Sequence, residues 1–282
     1  MGTRIIINSD DFGLCSGVNR AVQQAHNEGV LTSATLMSGV DGSFEAVDMA
    51  KEMPSLGVGV HLNLLEGTAV SKDERTEVLL DSDGEFAYSA GKLAFRSFFS
   101  KSVRKAIEIE LAAQIEWVID NGINPTHLDS HKHIHAFPSI YPIVVRLAER
   151  YTVPAIRWPF EPGRICNSNW PFPSKGGKTR AFIIRTMAKI NRRQNAAFIR
   201  NQTFLGIGHT GKIDKDFWEA VGKAQFRGPV EVMTHVGYAD GLDPSKTRLI
   251  EERQVELEAL CSDRTKKILA DAEMELTHYG KL

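Results

Sequence analysis

Short apolar or β-branched runs alternate along the chain with longer stretches in which apolar residues recur at helical spacing. The short runs predict strands over residues 4–8, 34–37, 57–62, 126–131, 155–158, 203–205 and 230–235. The longer stretches predict helices over residues 17–28, 44–52, 103–121, 139–151, 180–199, 215–225 and 248–261. This alternation is typical of the α/β class, and about seven strands favour a single, irregular (β/α) barrel. No GxGxxG turn follows the first strand, which disfavours a dinucleotide-binding sheet.

The composition fits one barrel domain over residues 1–282. Hydrophobic residues make up 42% of the chain and charged residues 24%, which excludes a disordered protein or a disulfide scaffold. The formal charge of −1 leaves no general basic surface for nucleic acid. The three cysteines are far apart and form no CxxC motif, so we expect reduced thiols in a cytoplasmic protein. The first residues lack the apolar core of a signal peptide, in keeping with that location.

Residues 162–213 differ from the rest of the chain in charge. This segment contains ten Lys or Arg residues and no Asp or Glu. Apolar residues recur at helical spacing beside these charges, at Phe182, Ile183, Met187 and Ile190. Such a helix can lie on an anionic membrane surface or cover a lipid-like substrate. More commonly, a helix of this kind packs its apolar stripe against the barrel and exposes its basic face to solvent. A second apolar and basic stretch, residues 92–105, adds to the case for a basic amphipathic insert that contacts a membrane.

Four of the nine histidines lie within one short run, Thr126-His127-Leu128-Asp129-Ser130-His131-Lys132-His133-Ile134-His135. In an extended segment, side chains alternate between two faces, so one face would carry His127, Asp129, His131, His133 and His135. A row of imidazoles with a carboxylate is costly to bury unless it binds something. The run therefore predicts a metal site but does not decide which imidazoles are ligands. A solvated strand edge is the alternative.

Two adjacent carboxylates follow the first predicted strand. Asp10 and Asp11 stand in the sequence Asn8-Ser9-Asp10-Asp11-Phe12-Gly13, in which Gly13 allows a turn. If the turn separates the carboxylates, one can bind a metal while the other accepts a proton from the water on that metal. Capping of the following helix would be a purely structural use.

Two further histidines end predicted strands. His61 follows Gly57-Val58-Gly59-Val60, and Asn63 lies two residues further on, on the same face of an extended strand. His235 follows Val230-Glu231-Val232-Met233-Thr234. Each could be a hydrogen-bonded core residue. Because the active sites of (β/α) barrels lie at the carboxyl ends of the strands, we expect both to meet the aspartates and the histidine run there.

Together these residues resemble the YdjC-like carbohydrate deacetylases. The resemblance rests on Asp10-Asp11-Phe12-Gly13, on Gly59-Val60-His61-Leu62 and on the run from His127 to His135, and it extends to about His235. The basic segment and residues 84–105 most resemble the hopanoid-biosynthesis-associated, HpnK-like branch. His235-Val236-Gly237 departs from the His-Pro-Gly that the family often has. The resemblance implies a (β/α) barrel related to polysaccharide deacetylases.

The resemblance also implies one divalent metal ion held by Asp11, His61 and His131, with Asp10 as the base. Zn²⁺ is the expected ion, and Mg²⁺ or Mn²⁺ are alternatives. Such an ion polarises an amide carbonyl and lowers the pKa of bound water from about 15.7 toward 7. An imidazole, for which we favour His235, would protonate the departing amine. Candidates for orienting the substrate or the metal ligands are Asp129, His133, His135 and Asn63.

The predicted reaction is removal of an acetyl group from an N-acetylated amino sugar. The branch resemblance points to a glycolipid, an N-acetylglucosaminyl hopanoid, and a soluble chitooligosaccharide is the alternative substrate. Two other classes stay open: a metal-dependent phosphoesterase, which usually needs two metals, and a sugar-binding protein without turnover. We expect no nucleic-acid partner, and a homodimer is compatible with the sequence.

Overall fold

The computed structural model describes residues 2–163, 170–198, 201–245 and 247–282. Within them, one sheet contains seven parallel strands: β1 (Arg4–Phe12), β2 (Ser33–Leu36), β3 (Gly57–Leu62), β4 (Leu128–Ser130), β5 (Thr203–Leu205), β6 (Val230–Thr234) and β7 (Glu275–Thr277). The strand order is β4-β3-β2-β1-β6-β5, and β7 pairs with the first residues of β1. The predicted α/β barrel-like fold is therefore confirmed.

The same ranges contain nine α-helices: α1 (Ser16–Asn27), α2 (Ser43–Glu52), α3 (Ala90–Phe99), α4 (Lys101–Asp120), α5 (Tyr141–Arg150), α6 (Gly177–Ile190), α7 (Lys215–Lys223), α8 (Glu251–Cys261) and α9 (Asp263–Asp271). Short 3-10 helices cover Glu74–Leu79, His131–Ala136, Asn191–Ala197 and Tyr279–Lys281. Helices α1, α2 and α4 pack against β1, β2 and β3, so the sheet is covered on its outer face.

An irregular segment, residues 155–160, links the two edge strands of the curled sheet. Leu128 of β4 donates its backbone N–H to Ala155 and accepts one from Arg157. At the other end, Phe204 of β5 donates its backbone N–H to Phe160. A strand over 155–158 was the expectation from sequence, but the structure has only a bridge between Leu128 and Ile156 there. Through these hydrogen bonds the segment still connects the two edge strands, so the curled sheet approaches a closed barrel.

The central strands are buried on both faces, which explains why they read as continuous apolar runs. Close packing inside the sheet also restricts residue size. A Cβ atom on Gly59 would lie 2.4 Å from the imidazole of His127. His127 in turn stacks on Tyr279 with ring centroids 4.2 Å apart. A polar side chain in such a strand must find its partners inside the fold.

Several predicted elements differ from those observed. The strand predicted over 126–131 is only Leu128–Ser130, while β1 extends to Phe12. Helices α3 and α9 and strand β7 were missed. The helix predicted over 180–199 is Gly177–Ile190. Strand β5 lies inside the segment 162–213 and pairs with β6, so the last part of that segment belongs to the sheet.

The described ranges contain no helix that is both long and apolar enough to cross a bilayer. Cys15 and Cys261 are unpaired thiols, as expected, and Cys166 lies outside the described residues.

The C-terminal Tyr279 gives a test of how firmly the last residues hold the sheet. Its buried hydroxyl donates to Oε2 of Glu231, at 2.5 Å, and its oxygen lies 3.0 Å from Oδ1 of Asn201. Tyr279→Phe removes the donor from a buried carboxyl group, so we expect the free energy of unfolding to fall by about 1–3 kcal/mol in denaturant titration. The matched control is Tyr151→Phe, whose hydroxyl bonds Glu116 near the surface and should cost under about 0.5 kcal/mol. Equal losses in the two variants would contradict this assignment.

Candidate active site

The carboxyl ends of four strands bring their polar side chains to one cavity of about 740 Å³. Asp10 and Asp11 come from β1, His61 from β3 and His131 from the residue after β4, while His235 follows β6. The predicted convergence of the aspartates and histidines at this end of the barrel therefore occurs. Parallel strands place their carboxyl ends together, which is why residues so far apart in sequence meet.

Asp11, His61 and His131 form one compact group. Oδ1 of Asp11 lies 3.4 Å from Nε2 of His61 and 3.1 Å from Nδ1 of His131. The possible ligand atoms of the three residues all lie within 4.8 Å of one another. Asp11 occupies the left-handed region, with φ of 66°, and Gly13 follows at 99°. This unusual turn separates the two aspartates, and Asp11 takes up a conformation that costs energy outside glycine.

Asp129 orients His61 from behind. Its Oδ1 lies 2.8 Å from Nδ1 of His61, so Nε2 is the atom directed toward Asp11. Burial opposes the charged imidazolium, but the carboxylates of Asp129 and Asp11 outweigh it and raise the pKa of His61 to about 10. The same groups that favour a proton on His61 would favour a metal ion in its place.

Arg157 holds Asp10 through both carboxylate oxygens. Nη1 donates to Oδ2 at 2.9 Å and Nη2 donates to Oδ1 at 2.7 Å. The guanidinium is fully buried and also contacts Asp129, at 2.7 Å, and Glu231, at 2.8 Å. Although burial raises the pKa of a carboxyl group, Arg157 holds the pKa of Asp10 well below its usual range. Asp10 is therefore ionised and fixed in orientation at neutral pH.

A second group of possible ligands among the described residues consists of Asp10, His61 and Asp129. Here Nη1 of Arg157 already contacts both carboxylates, at 2.9 Å and 2.7 Å. A guanidinium therefore supplies the positive charge that a metal ion would otherwise bring. The group of Asp11, His61 and His131 is the better metal site, because its two imidazoles and one carboxylate match the donors that Zn²⁺ prefers.

Charged neighbours fix Asp11 and His131 of that group in position. Nη2 of Arg253, from α8, donates to Oδ2 of Asp11 at 2.7 Å, which leaves Oδ1 facing the imidazoles. Against the effect of burial, Arg253 and the imidazoles hold the pKa of Asp11 well below its usual range. Nε2 of His131 lies 3.1 Å from Oε1 of Glu66, which Lys132 also contacts at 2.5 Å. These contacts restrict how Asp11 and His131 can move.

His235 lines the cavity at the end of β6. Its backbone N–H donates to Oε2 of Glu256 at 2.6 Å, which fixes the chain at this point. Burial lowers the pKa of the His235 imidazole to about 4, so the neutral ring prevails at neutral pH. To act as the predicted acid, His235 must first gain a proton during turnover.

The single face expected for the histidine run is wrong beyond His131. Lys132 and His133 both have left-handed backbones, and His131–Ala136 form a 3-10 helix rather than an extended strand. The chain turns there because β4 must connect to α5. His133 lines the cavity, whereas His135 is buried beneath it, bonded to Ser130 and to the carbonyl of Arg157. His135 therefore supports Arg157 and does not face the substrate space.

Asn63 also acts away from the cavity. Its Nδ2 donates to the carbonyl of Glu66 at 2.6 Å, and its Oδ1 accepts the backbone N–H of Leu65 at 3.0 Å. Its own backbone N–H donates to Oε1 of Gln114 at 2.8 Å. Asn63 thus shapes the turn that presents Glu66 to His131, which is an indirect effect on the site.

Sequence reasoning missed the charged partners Arg157, Glu231, Arg253 and Glu66. Two of them carried a usable signal, because Arg157 and Glu231 are charges of opposite sign within predicted strands. Charges in strands that are buried on both faces must be paired, so their pairing could have been proposed. Arg253 lies in a helix that is rich in charged residues, and nothing in its sequence context points to Asp11.

The wall opposite the strand ends is largely apolar. It is formed by residues of α3 and α6 and by one residue of β6, namely Ala90, Ala94, Ile183, Ile184, Met187 and Met233. Arg180 and Arg248 also line this part of the cavity. The cavity thus has a polar, charged floor and an apolar wall, an arrangement typical of sites for amphipathic ligands.

Comparisons with known proteins agree with this picture. Residues 4–271 match a family model described as YdjC-like protein. A carbohydrate deacetylase of Brevibacillus brevis is 34% identical over 279 residues, with 99% of each chain covered. A carbohydrate deacetylase of Clostridium beijerinckii is 28% identical over 277 residues, with 98% of each covered.

One solved structure is similar over the whole chain. It is an Enterococcus faecalis protein named for a proposed cellobiose-phosphate cleavage activity, and it superimposes with a TM-score of 0.77 at 22% identity. The match covers 100% of this chain and 99% of that chain. At this identity the likeness concerns the fold, and it supports the barrel-like architecture.

The raised pKa of His61 gives a test of the metal site. Because a metal must displace the proton from Nε2, we expect the affinity of the protein for Zn²⁺ to keep rising with pH toward about 10. Asp129→Asn removes one of the carboxylates that raise this pKa, while Asp11 stays in place, so the rise should level off at a lower pH than in the wild type. Chelator competition at a series of pH values measures both curves. Identical curves for the two proteins would contradict the coupling of Asp129 to the metal site.

Proposed function

We propose that this chain, which belongs to the YdjC-like protein family, is a metal-dependent deacetylase acting on an N-acetylated amino sugar. The observation that carries the proposal is the group of Asp11, His61 and His131, of which the first two are buried, beside a second, ionised carboxylate, Asp10. The carbohydrate deacetylases of Brevibacillus brevis and Clostridium beijerinckii, which align over nearly the full chain, support the reaction class.

Asp11, His61 and His131 would hold one divalent ion. Bound there, the ion would polarise the amide carbonyl and lower the pKa of water. The protein prepares this position by fixing each ligand from outside. Asp129 sets the ring of His61, Arg253 holds the far oxygen of Asp11, and Glu66 contacts His131. Preorganised ligands lose little freedom when the substrate binds.

Asp10 is the group that we assign to accept the proton of the attacking water. Arg157 keeps it ionised and holds both of its oxygens, so the carboxylate cannot rotate away. This pairing also makes Asp10 a weak base by itself. The proton transfer then depends on an acidified water rather than on an unusually basic carboxylate.

His235 is the group that we assign to the departing amine. The imidazole is neutral before the reaction, because burial lowers its pKa to about 4. As the C–N bond breaks, its electron pair moves to the nitrogen, which needs a proton to leave as an amine, and the proton that Asp10 accepts from water is the available source. The neutral imidazole of His235 can take up that proton from Asp10 and pass it to the nitrogen, so that both groups return to their starting protonation states.

For the substrate, we propose a lipid-linked amino sugar, an N-acetylglucosaminyl hopanoid. The cavity volume of about 740 Å³ is within the range of ligand sites in proteins, about 300–1,000 Å³. Its charged floor suits the acetamido group, and its apolar wall of α3 and α6 residues suits an apolar group attached to the sugar. The hopanoid-associated branch that the sequence resembles agrees with this choice, and a soluble chitooligosaccharide is the competing substrate.

Release of acetate is measured with two substrates, N-acetylglucosaminyl hopanoid in detergent and diacetylchitobiose in buffer, and tests the reaction and the substrate together. We expect the metal-loaded enzyme to act on N-acetylglucosaminyl hopanoid in detergent, and the metal-free enzyme to act on neither substrate. Activity on diacetylchitobiose alone would keep the deacetylase and overturn the lipid-linked substrate. If no metal-dependent acetate release occurred from either, the proposed reaction itself would be wrong.

Asp10→Asn tests the role of the base. We expect turnover to fall by about 10²- to 10⁴-fold, the usual contribution of a general base, while metal content stays unchanged. Elemental analysis of the purified variant and its melting temperature separate lost chemistry from lost metal or lost folding. The control is Asp120→Asn at the exposed end of α4, which should keep full activity. A fully active Asp10→Asn enzyme would exclude Asp10 as the base.

A further inference from the structure

Two helices that line the cavity, α3 and α6, carry large apolar side chains that the described residues leave exposed. Three phenylalanines of α3 are 65–70% exposed, namely Phe95, Phe98 and Phe99. In α6, Phe182 is 59% exposed, Ile183 45% and Ile190 63%. Both helices pack against the 3-10 turn His131–Ala136, and both contribute to the cavity wall.

On each helix the exposed face continues the face that lines the cavity. In α3, Gly91 and Ala94 line the cavity, while Phe95 and Phe98 follow at the spacing of a single helical stripe. In α6, Ile183 both lines the cavity and is exposed. Met187 and Ile190 extend that stripe outward. On both helices, apolar residues that line the cavity and apolar residues that are exposed therefore belong to the same stripe.

The charges on these helices have one sign. Neither Ala90–Phe99 nor Gly177–Ile190 contains Asp or Glu, and together they carry six basic residues: Lys92, Arg96, Lys178, Arg180, Arg185 and Lys189. Lys92 and Arg96 lie over the ring of Tyr88, at 5.0 Å and 5.1 Å from its centroid. Exposed phenylalanines on helices whose only charged residues are basic are the composition of a surface that binds anionic lipid headgroups.

We propose that the outer faces of α3 and α6 form a docking surface for an anionic lipid bilayer, which we call the α3/α6 face. Docking by this face would bring the part of the cavity wall that α3 and α6 form next to the membrane, because the same helices form both. A second copy of this chain is a poorer occupant, since pairing two such faces would bring the basic residues of both copies together. The inference concerns binding to the bilayer and does not require the proposed reaction.

Flotation of the full chain with phospholipid vesicles tests the α3/α6 face. We expect the protein to bind vesicles of phosphatidylcholine mixed with phosphatidylglycerol at low salt, and to bind pure phosphatidylcholine vesicles far more weakly. High salt should weaken binding to the anionic vesicles, because it screens exposed charges. No binding of the wild-type chain to anionic vesicles at low salt would overturn the proposal.

Two double variants separate the apolar and the charged contributions. Phe95→Ser with Phe98→Ser should lower the partition coefficient by about tenfold or more, since it removes the rings that enter the interface. Lys178→Gln with Lys189→Gln should lower it by about tenfold or more, through lost attraction to the headgroups. If neither pair changed vesicle binding, the α3/α6 face would not be the docking surface.

Each pair has a matched control elsewhere on the chain. Phe44 of α2 is 65% exposed, as Phe98 is, so Phe44→Ser should leave vesicle binding unchanged. Lys266 and Lys267 of α9 are exposed lysines, and replacing both with Gln should likewise have no effect. Equal losses of vesicle binding in the control variants would mean that binding is not specific to this surface, and would overturn the assignment to the α3/α6 face.

Two further measurements separate bilayer docking from dimerisation and from general damage to the variants. Sedimentation of the wild type and of the phenylalanine variant reports whether a second copy covers the face instead, because a dimer that dissociates in the variant would overturn bilayer docking. The melting temperature of the same variants should not change, because the replaced side chains are exposed. Loss of vesicle binding with an unchanged melting temperature would support docking, whatever the identity of the natural substrate.

Discussion

A single buried guanidinium organises the floor of this barrel. Arg157 is wholly shielded from water and contacts carboxyl groups on three strands, Asp10 of β1, Asp129 of β4 and Glu231 of β6. A buried charge without partners costs several kcal/mol, so the sheet must curl until these groups meet. Burial raises the pKa of Glu231 to about 7, and Tyr279 donates to it, which extends the network to the C-terminal residues.

The same network of charges also positions the groups that we assign to the reaction. Through Asp129, Arg157 is coupled to the orientation of His61, and through Asp10 it fixes the group that we assign as the base. The proposed metal ligands lie at the carboxyl ends of the strands, while helices outside the sheet line the rest of the cavity. A rigid polar floor and an apolar wall therefore arise from different parts of the fold, strand ends for the floor and helices α3 and α6 for the wall.

Much of this site was predictable because it depends on residue type and strand position. Asp10 and Asp11 follow a predicted strand, and three histidines lie at the ends of predicted strands: His61, His131 and His235. Parallel strands must place their carboxyl ends together. The roles of His133 and His135 could not be separated in that way. Alternation along an extended chain would have put both on one face, but the left-handed turn at Lys132 and His133 broke the alternation.

The sequence by itself determined the fold class, the family resemblance and the end of the barrel at which the polar residues gather, since these follow from local patterns of residue type. Only the tertiary structure decided which charges neutralise one another. Arg253 reaches Asp11 across 242 positions in the sequence, and Arg157 reaches Asp10 across 147. Such pairs depend on distances in the folded chain, and electrostatic contacts leave no periodic signal in the sequence around them.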